Sequence, residues 1–477
     1  MNSRQASYDE PLLLELPGEI HESRIPRGIV PESMEREDLN IPDLEEFQVV
    51  RHFTRLSQMT YGTDTGFYPL GSCTMKYSPK YAEVLAASSK VRRLHPHQDE
   101  SSIQGALQIM YDLQRMLSHI AGMDLVSLQP AAGAHGEFTG LLMAKAYFEE
   151  RDEDRTQVIL PDSAHGTNFA SATMAGYDVV EIASKDGVVN LRSLEKALSE
   201  KTAVFMLTNP NTLGIFESEV LEMAKLAHSQ GALLYYDGAN MNAIFGKTNP
   251  GRMKFDIVHF NLHKSFSTPH GGGGPGAGPI GAQGALAEYL PIPLAGYDGE
   301  RYYLDYERPR SIGKVRAFFG NFAVMLRAYA YITRMGAEGL EMAAENAVLN
   351  SNYLKAKVER VLPVPYRGLR KHEFVASASQ LRERGLGAVD LAKRLIDYGF
   401  HPPTMYFPSL VEEALMIEPT ESETMEGLDT FCRALEHILQ EDTETLKTAP
   451  HNAPVRRVDE VRAARKPILS WRMLERE

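Results

Sequence analysis

Asp237 and Lys264 are charged residues that each follow a short apolar run, at 233–236 and 257–260. A carboxylate at the end of a buried strand is costly unless it has a partner, and a protonated pyridinium nitrogen is such a partner. A lysine in the same pocket can form a Schiff base once desolvation and neighbouring charge lower its pKa. The pair therefore indicates pyridoxal phosphate, whose ring the acid keeps protonated as an electron sink. Taken alone, Asp237 could equally be a helix N-cap or a metal ligand, and Lys264 a solvated surface charge.

A segment of small residues, AAGAHGE at 131–137, follows another apolar run at 125–128. A small-residue turn that enters a helix leaves backbone N–H groups free, and these donors together with the helix dipole bind phosphate. The segment is therefore a candidate phosphate-binding turn. The alternative is an ordinary tight turn between a strand and a helix.

His165 and Asn209 follow two further apolar runs, at 158–160 and 204–207. A histidine at this place could stack on a planar ring, and an asparagine could hydrogen-bond a phenolic oxygen. Either residue alone could equally cap a helix. Five strand ends that supply phosphate donors, a stacking ring, an oxygen partner, an acid and a lysine are together more specific than any one of them.

Two other patterns carry less weight. The glycine run at 271–276 formally contains GxGxxG, but no helix can readily start across GPGAGP, so we interpret it as a loop beside Lys264. The string HPHQDE at 95–100 has metal-ligand spacing, yet no second cluster accompanies it. We interpret that string as a polar loop and expect no metal.

The apolar runs alternate with helical stretches, and this alternation predicts the fold class. Apolar residues follow helical spacing over 103–120, and the stretch 217–230 ends against Gly231, a residue suited to a helix C-terminus. Short buried strands between helices predict an α/β fold with a mostly parallel, doubly wound sheet. Ligands bind such sheets at the carboxyl ends of the strands, where all the candidate residues lie.

We divide the chain into four parts. They are an N-terminal arm at 1–60, a large cofactor-binding α/β domain at 61–320, a smaller α+β domain at 321–447 and a C-terminal tail at 448–477. After a turn-rich connection at 291–313, a long helical region covers 318–360. The smaller domain is predicted to hold strands at 374–377, 405–407 and 415–417 and helices at 388–398 and 422–440.

Composition excludes several functional classes. The net charge of −13 disfavours a nucleic-acid partner, because an acidic chain repels phosphate backbones. Two cysteines, Cys73 and Cys432, in 477 residues fit a reducing compartment and leave no CxxC zinc site. The apolar run of the N-terminal segment, Leu12–Leu14, is too short for a secretory signal or a membrane span. We therefore expect no signal peptide, no membrane anchor and a cytoplasmic location, or an organellar one after processing.

Longer strings carry a resemblance to a known family. Asp237-Gly238-Ala239, His263-Lys264 and Asn209-Pro210 resemble the fold-type-I pyridoxal phosphate enzymes. GSCTMKY at 71–77, DSAHGTN at 162–168, HKSFSTPH at 263–270 and EPTESE at 418–423 are more specific. Together they are similar to the glycine dehydrogenase (decarboxylating) family, the P-protein of the glycine cleavage system, over residues 26–467. The similarity is to the lysine-bearing chain of the two-chain form.

The resemblance implies a role for each candidate residue. Lys264 would carry the Schiff base, and Asp237 would pair with the pyridine nitrogen. His165 would stack on one ring face and Ala239 would pack on the other, while Asn209 would touch the ring oxygen. The remaining cofactor-binding residues are Ala134, His135 and His263. His97 and Phe169 depart from the family pattern, where Phe and Pro are expected, but neither touches a proposed catalytic group.

The resemblance also implies a reaction and partners. Glycine would form an external aldimine with pyridoxal phosphate and lose CO₂, and the aminomethyl group would pass to the lipoyl arm of H-protein. A separate glycine dehydrogenase subunit 1, with two copies of each chain, would complete the enzyme. The alternatives are another fold-type-I lyase or aminotransferase, a non-catalytic structural paralogue, or a dinucleotide-binding oxidoreductase that rests on the GxGxxG match alone.

Overall fold

The computed structural model describes residues 10–16, 30–34, 42–72, 77–269, 276–470 and 473. Its strands form one large and one small sheet together with two short hairpins. The strands are β1 Leu125–Ser127, β2 Gln157–Pro161, β3 Asp178–Ile182, β4 Ser184–Lys185, β5 Val188–Val189, β6 Thr202–Thr208, β7 Leu233–Gly238, β8 Ile257–Phe260, β9 Ile280–Ala282, β10 Leu294–Tyr297, β11 Tyr302–Asp305, β12 Phe374–Ser377, β13 Thr404–Met405 and β14 Ala414–Ile417.

The helices lie mostly between consecutive strands of the large sheet and around the small one. They are α1 Glu46–Gln58, α2 Lys80–Ala86, α3 Ser89–Arg92, α4 Gln104–Ala121, α5 Gly133–Glu149, α6 Gly166–Met174, α7 Leu191–Ala197, α8 Val220–Ser229, α9 Leu262–Ser265, α10 Phe322–Val358, α11 Ala388–Asp397, α12 Met425–Gln440, α13 Thr443–Thr448 and α14 Glu460–Arg465. Helix α4 ends where Gly122 adopts the left-handed conformation (φ 68°), which a glycine reaches without steric cost.

The large sheet has seven strands in the order β1-β9-β8-β7-β6-β2-β3. The neighbours from β8 to β3 pair in parallel, whereas β9 is antiparallel to both β8 and β1. Strands β1, β2, β6, β7 and β8 therefore all end at the same edge of the sheet. The loops that follow these five strands meet at that edge, as the doubly wound arrangement requires.

Each face of the large sheet packs against its own hydrophobic core. Successive side chains of a strand point to opposite faces, and in β7 Leu234 and Tyr236 join one core while Leu233 and Tyr235 join the other. Helices cover both faces, so the strands read as continuous apolar runs. These two cores hold the carboxyl edge of the sheet rigid.

The small sheet, in the order β12-β14-β13, is antiparallel and packs with α11 and α12 around a separate core. Helix α10 joins the two sheets and contains one break at Gly336, whose φ is 64°. Phe67 also packs into the core of the small sheet, and Leu70 forms a β-bridge with Ile417. The segment before α2 therefore contacts the small sheet, although we assigned 61–320 to the large domain.

The structure confirms the α/β fold and corrects several details. The predicted turn-rich connection at 291–313 contains the β10–β11 hairpin, and the large sheet contains β9, a short antiparallel strand that follows the glycine run. A strand of three residues is too short to show an alternation of apolar and polar side chains, so nothing in the sequence indicated β9. Within the predicted arm, α1 is a 13-residue helix. Cys73 and the glycine run at 271–274 lie outside the described residues. No helix in the described part of the chain is both long and apolar enough to cross a membrane.

Candidate cofactor site

Asp237 is the buried acid at the centre of the carboxyl edge, on β7, and its side chain is 3% exposed. Its Oδ1 accepts a hydrogen bond from Ala239 N at 2.9 Å and lies 3.1 Å from His259 Nε2. Its Oδ2 accepts from Asn168 Nδ2 at 3.1 Å and from Thr208 Oγ1 at 3.3 Å. Four neighbours thus fix the direction in which this carboxylate points.

The Asp237 carboxylate is held in its ionised form. Burial by itself would raise its pKa, but the His259 charge and hydrogen bond, with the charge of Lys264, lower the pKa below its usual range. In turn, burial would lower the pKa of His259, but the charge and hydrogen bond of Asp237 and the charge of Glu137 together raise it. Asp237 and His259 thus each favour the charged form of the other beside the strand end.

Lys264 lies on α9, the single helical turn that follows β8 beside β7. Its backbone N–H donates to Asn261 O at 2.9 Å, which sets the turn. The side chain is half-buried, and its Nζ contacts no acceptor in the part of the chain that the structure describes. Its charge lowers the pKa of both Asp237 and His165. Among the described residues, no acceptor therefore occupies this amine at the carboxyl edge.

His165 both caps a helix and faces the site. It is the N-cap of α6, and its Nδ1 accepts a hydrogen bond from Thr167 N at 3.2 Å. The imidazole also meets the Phe407 ring edge-on, with ring centroids 5.3 Å apart. Burial, and then the charge of Lys264, lower the His165 pKa, so the ring is neutral at pH 7. A neutral imidazole can stack on a cationic ring without charge repulsion.

The phosphate loop forms the start of α5. Ala132 is the N-cap in extended conformation, and the N–H groups of Gly133, Ala134 and His135 belong to the first turn, where no helical acceptor is available. His135 Nδ1 accepts from Ala131 N at 3.1 Å, which closes the loop. Burial, and then the charge of Arg316, lower the pKa of His135. The loop therefore combines free N–H donors with a nearby cation.

Two predicted cofactor contacts use their side chains elsewhere. Asn209 is fully buried, and its Oδ1 accepts from Glu217 N at 3.0 Å. His263 Nδ1 accepts from Ala277 N at 3.3 Å. Ala239 is half-buried at the site and donates its N–H to Asp237. The roles of Asn209 and His263 stay predictions, because their side chains are committed to the neighbouring loops.

Four residues of the site were missed by the sequence reasoning: Glu137, Thr167, Asn168 and His259. The carboxyl group of Glu137, the imidazole of His259 and the carboxylate of Asp237 lie within 4.8 Å of one another. Glu137 is an acid among small residues in the loop string, and His259 interrupts an apolar strand. Both signals were visible, but neither indicates by itself a contact with Asp237.

The residues at this edge fit pyridoxal phosphate. Arg316 Nη1 is buried without a hydrogen-bond partner in the described structure, and its effect on His135 places it beside the phosphate loop. A Cβ at Gly133 would come within 1.8 Å of Asn261 Oδ1, so only glycine allows the loop to approach the end of β8. The ionised Asp237 suits the ring nitrogen, and the Lys264 amine suits the aldehyde. The first-turn N–H groups of α5 suit the phosphate.

Comparisons with known proteins agree with this geometry. The family model described as aminotransferase class-V matches residues 139–273, and the model described as glycine dehydrogenase, C-terminal domain, matches residues 343–457. Among curated relatives, glycine dehydrogenase (decarboxylating) subunit 2 of Thermoplasma acidophilum is 55% identical over 99% of this chain and 100% of its own length. Its namesake in Thermococcus onnurineus is 56% identical over 98% of this chain and 97% of its own length.

Solved structures share the fold at low sequence identity. An inhibitor-bound glycine decarboxylase (P-protein) of the glycine cleavage system is 22% identical, with a TM-score of 0.71, over 87% of this chain and 93% of its own. A glutamate decarboxylase of Lactobacillus brevis is 12% identical, with a TM-score of 0.66, over 86% of this chain and 96% of its own. These likenesses confirm the fold-type-I architecture that the strings predicted.

Proposed function

Because this chain belongs to the glycine dehydrogenase (decarboxylating) subunit 2 family, we propose that it is the lysine-bearing subunit of glycine decarboxylase, the P-protein of the glycine cleavage system. The observation that carries the proposal is that the Lys264 amine and an ionised Asp237 lie at the same edge of the sheet. A structural paralogue would need neither group. The chain thus acts on glycine with pyridoxal phosphate as its cofactor.

Three parts of the chain would hold the cofactor. Lys264 Nζ attaches it covalently, Asp237 faces the ring nitrogen, and the first-turn N–H groups of α5 bind the phosphate. Pyridoxal phosphate, when bound, supplies an electron sink for the electron pair left behind as the glycine carboxylate departs as CO₂. His165, in the loop after β2, and Ala239, directly after β7, would limit the movement of the ring.

The protein groups set the protonation state at the site. Asp237 stays ionised and therefore keeps a proton on the ring nitrogen, which makes the ring a stronger electron acceptor. The neutral His165 adds no positive charge on the ring face. The buried cores on both faces of the sheet exclude water from the strand ends, which strengthens these interactions.

The name of the curated relatives implies a partner, subunit 1. We propose that subunit 1 binds this chain, with two copies of each in the complex, and that the aminomethyl product passes to the lipoyl arm of H-protein. A lipoyl arm needs a narrow channel that excludes water, and a second subunit of similar fold would help to form it.

Reduction with borohydride tests the covalent attachment. The chain is incubated with pyridoxal phosphate, reduced and digested, and the modified peptide is identified by mass. We expect the adduct on Lys264 and its loss in Lys264→Ala. Lys225→Ala, which removes a lysine side chain that is 79% exposed on α8, serves as the matched control and should keep the adduct. An adduct on any other lysine in the native chain contradicts the assignment.

A further inference from the structure

Glu137 is a buried carboxyl group on α5 that has not been assigned a role above, and it is 5% exposed. Its Oε1 lies 3.1 Å from Thr167 Oγ1 and 3.9 Å from His259 Nε2. Its Oε2 accepts from Asn168 Nδ2 at 3.0 Å and from Ser171 Oγ at 3.4 Å. These contacts connect α5, α6 and β8 behind the strand ends.

Two of the groups bonded to Glu137 also contact the residues that would hold the ring. Asn168 Nδ2 donates both to Glu137 and, at 3.1 Å, to Asp237 Oδ2. Thr167 Oγ1, which contacts Glu137, also lies 2.8 Å from His165 Nδ1. A single side chain intervenes on each path, so a shift of Glu137 would move both the acid at the ring nitrogen and the stacking imidazole.

We propose that Glu137 is a positioning residue for the cofactor ring, which orients Asp237 through Asn168 and His165 through Thr167. The inference rests on the proposed function, because it takes pyridoxal phosphate as the occupant of this edge. It adds a residue that touches neither the cofactor nor the substrate and acts only through its two neighbours.

Thr167 joins Glu137 to His165. Its hydroxyl donates to Glu137 Oε1 at 3.1 Å, and the same Oγ1 lies 2.8 Å from His165 Nδ1. Thr167 N also donates to Nδ1 at 3.2 Å. Glu137 therefore acts on the stacking imidazole through one hydroxyl group.

Burial and the charges around Glu137 favour its neutral form. Burial, and then the charge of Asp237, raise the pKa of Glu137. The charged or titratable groups that face it are Asp237 on β7, His259 on β8 and the fully buried Tyr235 hydroxyl, whose own pKa is raised. With His259 paired to Asp237, a neutral Glu137 leaves Asp237 as the one anion directed at the ring nitrogen.

Two substitutions at Glu137 separate a neutral positioning role from other roles. A glutamine has the shape of the neutral acid and no charge; its Oε1 can accept from Asn168, and its Nε2 can stay within hydrogen-bond distance of Thr167 Oγ1. We expect Glu137→Gln to bind pyridoxal phosphate within about threefold of the wild type and to keep its induced circular dichroism in the visible region. Glu137→Ala should weaken binding by about tenfold or more and change that dichroism, since two supports are lost.

Controls keep the experiment decisive. Glu149→Ala removes an exposed carboxylate from the far end of α5 and should leave the dissociation constant and the dichroism unchanged. If Glu137→Ala fails to fold, Thr167→Val breaks only the path to His165 and should still change the dichroism. The melting temperature of the cofactor-free proteins verifies folding.

The outcomes distinguish this inference from the proposed function. If the wild-type chain takes up no pyridoxal phosphate on Lys264, the proposed function itself fails. If the wild type binds while folded Glu137→Ala binds equally well with unchanged dichroism, the positioning role is wrong. If Glu137→Gln is as defective as Glu137→Ala, the neutral form is wrong, because the amide would then fail to replace it.

Discussion

At the scale of single residues, the site depends on two carboxyl groups whose pKa values are shifted in opposite directions. Burial would raise the pKa of Asp237, but His259 and Lys264 lower it, whereas burial and the Asp237 charge raise the pKa of Glu137. Two acids in one buried site cannot both ionise at low cost. The two shifts favour the charge on Asp237, the residue at the strand end.

Asp237→Asn should preserve cofactor binding and remove most turnover. A neutral amide cannot keep the ring nitrogen protonated, and each pKa unit of lost stabilisation corresponds to about a factor of ten. We expect glycine–bicarbonate exchange to fall by more than about tenfold, with the borohydride adduct on Lys264 retained. Asp178→Asn, at an exposed position on β3, is the control. An exchange rate close to that of the wild type would refute the role of Asp237.

At the scale of secondary structure elements, the helix N-termini link the stability of the fold to the site. The imidazole of His165 caps α6, and the start of α5 forms the phosphate loop. The same backbone N–H groups therefore lie at the start of a helix and offer hydrogen bonds to a ligand. A substitution at such a position changes stability and binding together unless the replacement keeps the cap.

Two substitutions separate the capping role of His165 from its stacking role. His165→Asn keeps a good N-cap but removes the aromatic ring, so we expect an unchanged melting temperature and a several-fold weaker affinity for pyridoxal phosphate. His165→Ala removes both and should also cost about 1 kcal/mol of stability. Thermal melts of the cofactor-free chain and cofactor titrations measure the two effects. Equal affinities for His165→Asn and the wild type would limit His165 to capping.

Glu217 gives the loop after β6 a pH-dependent support. It is fully buried, and its carboxyl oxygens accept from Val189 N at 3.0 Å and from Asn211 Nδ2 at 2.9 Å. Burial raises its pKa from 4.5 to about 7. The folded state thus holds a proton that the unfolded state releases above pH 4.5. Its contribution to stability is complete below that pH and is lost as the pH rises through about 7.

Glu217→Gln should reduce the decrease in melting temperature between pH 5 and pH 7, since an amide does not titrate. For one buried group the difference corresponds to about 3 kcal/mol at most. Glu195→Gln, at an exposed position on α7, should keep the pH dependence of the wild type. The idea is wrong if both variants melt with the same pH dependence as the native chain.

At the scale of the whole molecule, the chain brings the groups that we propose to hold the cofactor to one edge of a single sheet. The large sheet supplies five strand ends, and α10 connects it to the small sheet, whose Phe407 loop approaches His165. We propose that subunit 1 supplies the route for a lipoyl arm and the remaining part of the pocket.

The chain purified alone should therefore bind pyridoxal phosphate but catalyse little glycine–bicarbonate exchange with lipoylated H-protein. Addition of subunit 1 should raise the rate by at least about tenfold, because the water-excluding channel forms only in the complex. The measurement compares exchange with and without subunit 1 at equal cofactor occupancy. Full activity of the chain alone, unchanged by subunit 1, would show that the partner is not required.

The sequence by itself determined the elements and the residues at their ends. Strands β2, β6, β7 and β8 and the strand β12 of the small sheet were predicted from apolar runs, because burial on both faces makes such strands continuously apolar. Asp237 and Lys264 followed from those ends, since parallel strands finish at one edge. Each of these patterns extends over about ten residues of the sequence, so it can be recognised without knowledge of the fold.

Only the tertiary structure decided which groups those residues contact. Glu137 and Asp237 are 100 positions apart in the chain, and α5 and β7 must pack before their carboxyl groups share Asn168. The commitment of Asn209 to Glu217 depends on the path of a loop, and β9 depends on two neighbouring strands that recruit a three-residue segment. Such contacts join distant parts of the sequence, and no local periodicity specifies their partners.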